Sequence, residues 1–172
     1  MELTFEQVME KYTPMVYRIA FTRTGSLSDA EDVVQEVFLR YWKANKTFES
    51  EEHLRNFLIR CAVNRANTYI TSAWFKHRAH TDALENLPED EASAEDSPEL
   101  SAERSERRKA VLDAVMQLPP KYRTVVHLFY FEDMSVSQIG EILGEKEGTV
   151  KSKLSRARDK LKELLSDIGE WD

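Results

Sequence analysis

Residues 148–162, GTVKSKLSRARDKLK, form the most informative stretch of the chain. Its apolar residues recur at helical spacing and define a single stripe: Val150, Leu154, Ala157 and Leu161. Its basic residues surround that stripe: Lys151, Lys153, Arg156, Arg158, Lys160 and Lys162. The stretch therefore predicts an amphipathic helix with one buried side and a basic exposed side.

A shorter apolar-periodic stretch, Ser135–Leu143, comes just before the basic helix. Ser135 is placed to cap its first turn, with Gln138 completing a capping box. Gly144 can supply the tight turn that follows. A short helix, a turn and a basic second helix is the layout of a helix-turn-helix, whose second helix lies in the DNA major groove.

The exposed face of the basic helix has side chains suited to DNA. Each residue advances about 100° around a helix axis. Hydroxyls let the backbone approach base edges, arginine can pair with guanine, and flanking cations suit phosphates. We predict DNA contacts from Thr149, Lys151, Ser152, Ser155, Arg156 and Arg158. The sequence alone leaves a second interpretation open, a solvated basic helix in an ordinary bundle.

The overall charge is opposite to that of this helix. The chain has 172 residues, 24 Lys and Arg against 31 Asp and Glu, and a formal net charge of −7. An acidic protein is a poor free-standing DNA binder, but it can bind DNA alongside a larger basic partner. With only 5 Gly and 5 Pro, the composition argues against a turn-rich β fold.

We predict an all-α protein with two small helical domains, 1–78 and 105–172, joined by an acidic disordered linker at 79–104. The first domain has three amphipathic helices. Pro14 should kink or split the first helix, and Ser28 with Glu31 should cap the second. Cys61 is the single cysteine and is expected to be a small buried hydrophobe. No signal peptide or membrane span is visible, so we expect a soluble cytoplasmic protein.

Two polar faces of the first domain need an explanation. On the third helix, spacings of four, three and four align Arg60, Asn64, Asn67 and Thr71. The helix leads into an aromatic and basic cluster, residues 74–78, where Trp74 and Phe75 could stack on bases or cap the core.

The second helix has a carboxylate face formed by Asp29, Asp32 and Glu36. A solvated face is favoured over metal or acid–base catalysis, because the histidines lie elsewhere and no Glu-x-x-His pair occurs. A docking surface for a basic partner is a third option. No phosphate-binding loop or nucleophile motif is present, so we expect neither a cofactor nor enzymatic activity.

The chain resembles an extracytoplasmic-function (ECF) sigma factor of bacterial RNA polymerase over nearly its whole length. The resemblance is carried by four segments in the family's order: DAEDVVQEVFLRYW at 29–42, the helix Leu54–Arg78, LPPKYRTVV at 118–126 and EGTVKSKLSRARDKL at 147–161. The two predicted domains match the family's sigma2 and sigma4 domains. Gly140 departs from the alanine that the family usually has before the turn.

The resemblance implies a set of partners and contact residues. Core RNA polymerase would be bound through its β′ clamp and β flap, with the clamp meeting Asp29, Asp32, Gln35, Glu36 and Arg40. The −10 promoter element would be held and opened by the Phe48 loop, the Arg60/Asn64/Asn67/Thr71 face, Lys76 and Arg78. The basic helix would read the −35 element, the linker would thread a polymerase channel, and an anti-sigma factor would mask the docking surfaces.

Three other functions compete with this one. A response-regulator-like helix-turn-helix regulator would need βα alternation in the N-terminal half, which is not seen. An enzyme that used the carboxylates of the second helix would need histidines or other catalytic or metal-binding residues beside them, and the sequence places none there. A decoy that binds polymerase without DNA would tolerate loss of Ser152 and Arg156, whereas a sigma factor would not.

Overall fold

A computed structural model describes the backbone of residues 2–73 and 98–166 and the side chains of residues 2–70 and 105–166. Within these ranges the chain forms seven α-helices and one π-helical turn, with no strand, which confirms the all-α class. The α-helices are α1 (Phe5–Thr24), α2 (Leu27–Ala44), α3 (Glu51–Ala73), α4 (Pro98–Met116), α5 (Pro120–Val126), α6 (Val136–Leu143) and α7 (Glu147–Leu165). The π-helical turn, His127–Phe131, continues α5 directly.

Helices α1, α2 and α3 pack on one another to form the N-terminal domain. Val8, Val16 and Val33 are fully buried where they meet. Pro14 lies inside α1, yet α1 is one continuous helix, so the predicted split does not occur. Proline in a helix interior costs about 3 kcal/mol. The packing of α1 on both of its neighbours offsets that cost.

The start of α2 differs from the sequence prediction. Ser26, not Ser28, is the N-cap, and its Oγ accepts a hydrogen bond from the backbone N–H of Asp29 at 3.2 Å. Gly25 ends α1 in the left-handed conformation, with φ of 71°. The chain therefore reverses immediately, and Ser26 is the first residue whose extended backbone can cap the next helix.

The C-terminal domain contains the expected helix-turn-helix. Ser135 and Gln138 form the predicted capping box at the start of α6. Gly144 ends α6 in the left-handed conformation, with φ of 68°, and α7 begins three residues later. Helix α4 begins at Pro98, so residues 98–104 of the predicted disordered linker are helical, and residues 79–97 lie outside the described residues.

The two domains pack against each other. Helix α1 contacts α5 and the π-helical turn, and α3 contacts α6. Four of the polar residues buried in the described structure belong to this part of the C-terminal domain: Arg123, Thr124, His127 and Glu132. Buried polar groups require partners, and several of these partners lie across the domain boundary.

Candidate nucleic-acid and polymerase interfaces

Helix α7 presents the predicted basic face. Val150, Leu154 and Ala157 are buried and Leu161 is half-buried, which confirms the apolar stripe. All six of the candidate DNA contacts on this helix are exposed: Thr149, Lys151, Ser152, Ser155, Arg156 and Arg158. The geometry of this helix therefore permits the contacts that the sequence predicts.

Aromatic side chains of the same domain lie beside two of these arginines. Arg156 lies close enough to the hydroxyl of Tyr122 to lower the pKa of that tyrosine. Arg158 donates from Nε to the Tyr130 hydroxyl at 2.5 Å, and its guanidinium lies 6.0 Å from the centre of the Phe129 ring. Contacts of this kind reduce the number of conformations that a long side chain explores before binding.

The polar face of α3 is only partly described. Arg60, Asn64 and Asn67 are exposed on it, whereas the side chains of Thr71, Lys76 and Arg78 lie outside the described residues. Asn67 accepts a hydrogen bond from Nε of Arg23 at 2.8 Å.

Asn64 and Asn67 line a cleft of about 200 Å³ between the two domains. Lys121 and Lys153 line it from the C-terminal domain. Val63, which is 2% exposed, also lines this cleft.

Phe48 belongs to an aromatic cluster between α2 and α3. Its ring centre lies 5.2 Å from that of Phe57, 5.9 Å from that of Tyr41 and 5.1 Å from that of His53. Phe48 is half-buried, so the loop holds this ring against the core and leaves part of it accessible.

The charged face of α2 is largely in solvent. Asp32, Gln35 and Arg40 are exposed, and Asp29 is half-buried. Glu36 accepts a hydrogen bond from the Tyr69 hydroxyl of α3 at 3.0 Å. Burial and this carboxylate raise the pKa of Tyr69 to about 12.

Two large apolar side chains on α2 are exposed. Leu39 is 52% exposed and Trp42 is 63% exposed, although the helical spacing of Trp42 from the buried Phe38 predicts that it is buried. Its ring packs edge-on against Phe5, with centres 4.9 Å apart, and the rest remains open. Leu39 lies four residues after Gln35 and three residues after Glu36, so it shares their exposed face of the helix. This spacing is the sequence signal that indicates an exposed leucine.

Among residues 2–70 and 105–166, no three His, Cys, Asp or Glu side chains are grouped as metal ligands would be. None of the helices described is both long enough and apolar enough to span a bilayer.

Comparison with protein families gives two matches. The model described as Sigma-70 region 2 matches residues 8–76, and the model described as Sigma-70, region 4 matches residues 108–161. The first match covers the three-helix domain together with the start of the segment after α3. The second covers the C-terminal half of α4, from residue 108, and continues through the helix-turn-helix to Leu161.

Individual relatives agree with these matches. The ECF RNA polymerase sigma factor SigW of Bacillus subtilis is 29% identical over 170 residues, which cover 95% of this chain and 90% of SigW. SigL of Mycobacterium tuberculosis, an ECF RNA polymerase sigma factor, is 30% identical over 161 residues. These residues cover 93% of this chain and 88% of SigL.

Among solved structures, the sigma factor RpoE in complex with the anti-sigma factor NepR, from Bartonella quintana, has the same fold. The TM-score is 0.67 at 22% identity, and the match covers 94% of this chain and 96% of the other.

Proposed function

The chain belongs to the family of ECF RNA polymerase sigma factors, and we propose that it directs core RNA polymerase to promoters by contacting two DNA elements at once. The observation that carries this function is the order of the two family matches, with region 2 on the three-helix domain and region 4 on the helix-turn-helix. A response regulator would need a receiver with strands, and residues 8–73 are helical apart from two short connections.

Helix α7 is the proposed reader of the upstream, −35 element. Ser152 and Ser155 lie on its exposed face with Arg156, whose positive charge lies near the Tyr122 hydroxyl. A guanidinium can pair with both acceptors of a guanine. Thr149, Lys151 and Arg158 flank that face, where phosphates would lie.

Helix α3 and the Phe48 loop are the proposed contacts with the downstream, −10 element. Arg60, Asn64 and Asn67 are exposed and lie one helical turn apart. The partly accessible Phe48 ring, held by Phe57, offers a rigid surface on which an unpaired base could stack.

Helix α2 is the proposed docking surface for the polymerase β′ clamp, and the helix-turn-helix domain is the proposed contact for the β flap. The α2 face combines Asp32, Gln35 and Arg40 with the exposed Leu39 and Trp42. An apolar centre surrounded by charges is the usual anatomy of a protein–protein interface.

Run-off transcription tests this function directly. Core polymerase from a bacterium that carries the protein should make promoter-specific transcripts only when the protein is added. The Ser152→Ala/Arg156→Ala variant should lose this activity. The Lys162→Ala variant removes the same charge at the far end of α7 and serves as the matched control. Binding to duplex DNA without any promoter-specific transcript would contradict the proposal.

We also propose that the protein acts in the bacterial cytoplasm, without enzymatic activity, under the control of an anti-sigma factor. The likeness to RpoE, which was crystallised with the anti-sigma factor NepR, supports such a partner. A candidate partner should suppress run-off transcription and compete with core polymerase for the α2 face. A candidate that binds but leaves transcription unchanged would not be this regulator.

A further inference from the structure

The π-helical turn presents a tyrosine to solvent beside the helix-turn-helix. Tyr130 is 47% exposed, whereas Leu128 in the same turn is fully buried. The turn is closed by a hydrogen bond from the Glu132 N–H to the His127 carbonyl oxygen at 3.1 Å, and the ring of His127 stacks on that of Phe131. The backbone of Tyr130 is therefore held between fixed neighbours. Because wide helical turns of this kind are frequent at functional sites, the exposed side chain calls for an explanation.

Arg158 of α7 contacts this tyrosine. Its Nε donates a hydrogen bond to the Tyr130 hydroxyl oxygen at 2.5 Å, and its guanidinium carbon lies 5.7 Å from the centre of the Tyr130 ring. The Phe129 ring meets the Tyr130 ring edge-on, with centres 4.9 Å apart, and lies 6.0 Å from the same guanidinium. Cations are attracted to aromatic faces at such distances. Tyr130 and Arg158 are both exposed, so the pair is ordered by local contacts and is still open to a ligand.

The pair has hydrogen-bond donors to spare. The Tyr130 oxygen accepts from Arg158, which leaves its own O–H to donate, and Nη1 and Nη2 of Arg158 carry further N–H groups. In the part of the chain that the structure describes, no residue accepts a hydrogen bond from these groups. Asp159 follows Arg158 in sequence but points about 100° away around the helix axis. The result is a group of adjacent donors with a positive charge, which suits an anion.

Arg158 lies on the same side of α7 as the proposed contacts with the −35 element. Seven residues separate it from Lys151, which corresponds to nearly two full helical turns and about 10 Å along the axis. Ser155 lies between them on that side, and all three side chains are exposed. Tyr130 therefore lies beside the end of the proposed DNA face, although it belongs to a different element of the domain.

The chemistry of these donors favours a DNA phosphate. Phosphate oxygens only accept hydrogen bonds, and arginine and tyrosine side chains are among the groups that contact them. A hydrogen bond donated by a cation polarises the phenol, which makes its O–H a stronger donor. An apolar protein surface laid over Tyr130 would instead leave N–H groups of Arg158 without acceptors, which is costly. Because the chain has a net charge of −7, such a site also supplies attraction that the molecule as a whole lacks.

We propose that Tyr130 and Arg158 form a phosphate clamp, in which the Tyr130 O–H and the Nη groups of Arg158 bind one backbone phosphate beside the −35 element. This inference rests on the proposed function, and it adds a residue of the π-helical turn to the DNA surface proposed on α7. Tyr130 is then a binding residue in its own right as well as a support for Arg158. The clamp fixes where the domain sits along the duplex and reads no base itself.

A scan with methylphosphonate DNA tests the clamp. Holoenzyme assembled from core polymerase and this protein first selects a promoter duplex from a randomised pool. Each phosphate around the −35 element is then replaced in turn by a neutral methylphosphonate, and holoenzyme affinity is measured for each duplex. At the clamped phosphate the wild type should lose roughly tenfold in affinity, because charge-assisted hydrogen bonds are removed. Tyr130→Phe should reduce this loss to roughly threefold, and Tyr130→Phe/Arg158→Met should abolish it.

A second comparison separates a direct contact from mere support of Arg158. On unmodified promoter DNA, Tyr130→Phe should still weaken binding roughly threefold in an Arg158→Met background, because the phenol then donates to the phosphate by itself. Phenylalanine keeps the aromatic ring at an exposed position, and circular dichroism should confirm that the variant remains helical. Tyr17→Phe, which removes the hydroxyl of a half-buried tyrosine of α1, is the matched control and should leave the affinity for every duplex unchanged.

Three results would overturn the clamp. The first is that wild type and Tyr130→Phe respond alike to every methylphosphonate. The second is that the effect of Tyr130→Phe disappears in the Arg158→Met background, which would make Tyr130 only a positioning residue. The third is that Tyr130→Phe weakens binding to core polymerase and not to DNA, which would assign the tyrosine to a protein interface. Each of these leaves promoter selection by the wild type intact, whereas a wild-type holoenzyme that selects no promoter would contradict the proposed function itself.

Discussion

At the residue scale, the three glycines of the helix-turn-helix have different physical roles. A Cβ on Gly140 would lie 2.6 Å from the Glu145 carbonyl oxygen, so the turn folds back onto this position. Gly144 has open space around it but a φ of +68°, which an L-residue adopts at a cost. Gly148 has open space and no such backbone conformation. The departure from the family's usual alanine at 140 therefore coincides with a close backbone approach.

Alanine at each of these positions should separate the three roles. Gly140→Ala and Gly144→Ala should each lower the free energy of unfolding by about 1–2 kcal/mol, through a backbone clash and a strained φ. Gly148→Ala should raise it by up to about 1 kcal/mol, because alanine loses less entropy in a helix. Urea unfolding of the three variants measures this, and a stabilised Gly140→Ala would contradict the close approach.

Cys61 should behave as a protected thiol. It is 6% exposed, and burial raises its pKa, so little thiolate is present at neutral pH. Its reaction with a disulfide reagent should be at least roughly tenfold slower in the native protein than in concentrated urea. A native rate equal to that of the unfolded chain would show that the N-terminal core opens readily.

At the element scale, the sequence predicted features that depend on neighbouring residues and missed those that depend on contacts with distant parts of the chain. The Ser135–Gln138 capping box was predicted because both partners lie within four residues. The predicted N-cap of α2 was wrong because Ser28 with Glu31 fits the same capping-box pattern. The cap is Ser26 because α1 ends at Gly25, immediately before it. The π-helical turn was missed because its residues are held by contacts with Thr22, more than 100 positions away.

The same distinction applies to the candidate sites. Periodicity placed the exposed face of α7 correctly, since a helix buried on one side has a well-defined opposite face. It would also place Trp42 beside Phe38 in the core, yet Trp42 is 63% exposed, because helical spacing does not define how wide an apolar stripe is. It could not show that Asn67 bonds Arg23, which depends on how two helices meet.

The contact between α2 and α3 has a predictable pH dependence. The pKa of Tyr69 rises from about 10 in the unfolded chain to about 12 in the folded one. Its contribution to stability is therefore complete below pH 10 and is lost as the pH rises from 10 toward 12. Tyr69→Phe should be less stable than wild type at pH 8, and the difference should shrink by pH 11. Urea unfolding of both proteins at pH 8 and pH 11 measures the difference in the free energy of unfolding. A difference that grows with pH would contradict the raised pKa of Tyr69.

At the scale of the whole molecule, the net charge of −7 opposes binding to DNA. The isolated protein should therefore bind promoter DNA weakly at physiological salt, and addition of core polymerase should produce a tight, promoter-specific complex. Fluorescence anisotropy with labelled promoter DNA measures both states, with a scrambled duplex as the control. Tight specific binding without polymerase would show that the polymerase does not supply the missing affinity.

The packing of the two domains also bears on how copies of the molecule are distributed in a cell. A genome offers roughly 10⁶–10⁹ competing non-specific sites, and they can sequester any protein that adheres to phosphates. In the packed form Asn67 accepts a hydrogen bond from Arg23, so this member of the proposed −10 face is already engaged within the protein, whereas the proposed DNA face of α7 is open. Contacts made through one domain lack the gain in DNA affinity that a second, tethered domain provides. The chromosome is then a poor reservoir for the free protein, and most copies stay available to meet polymerase.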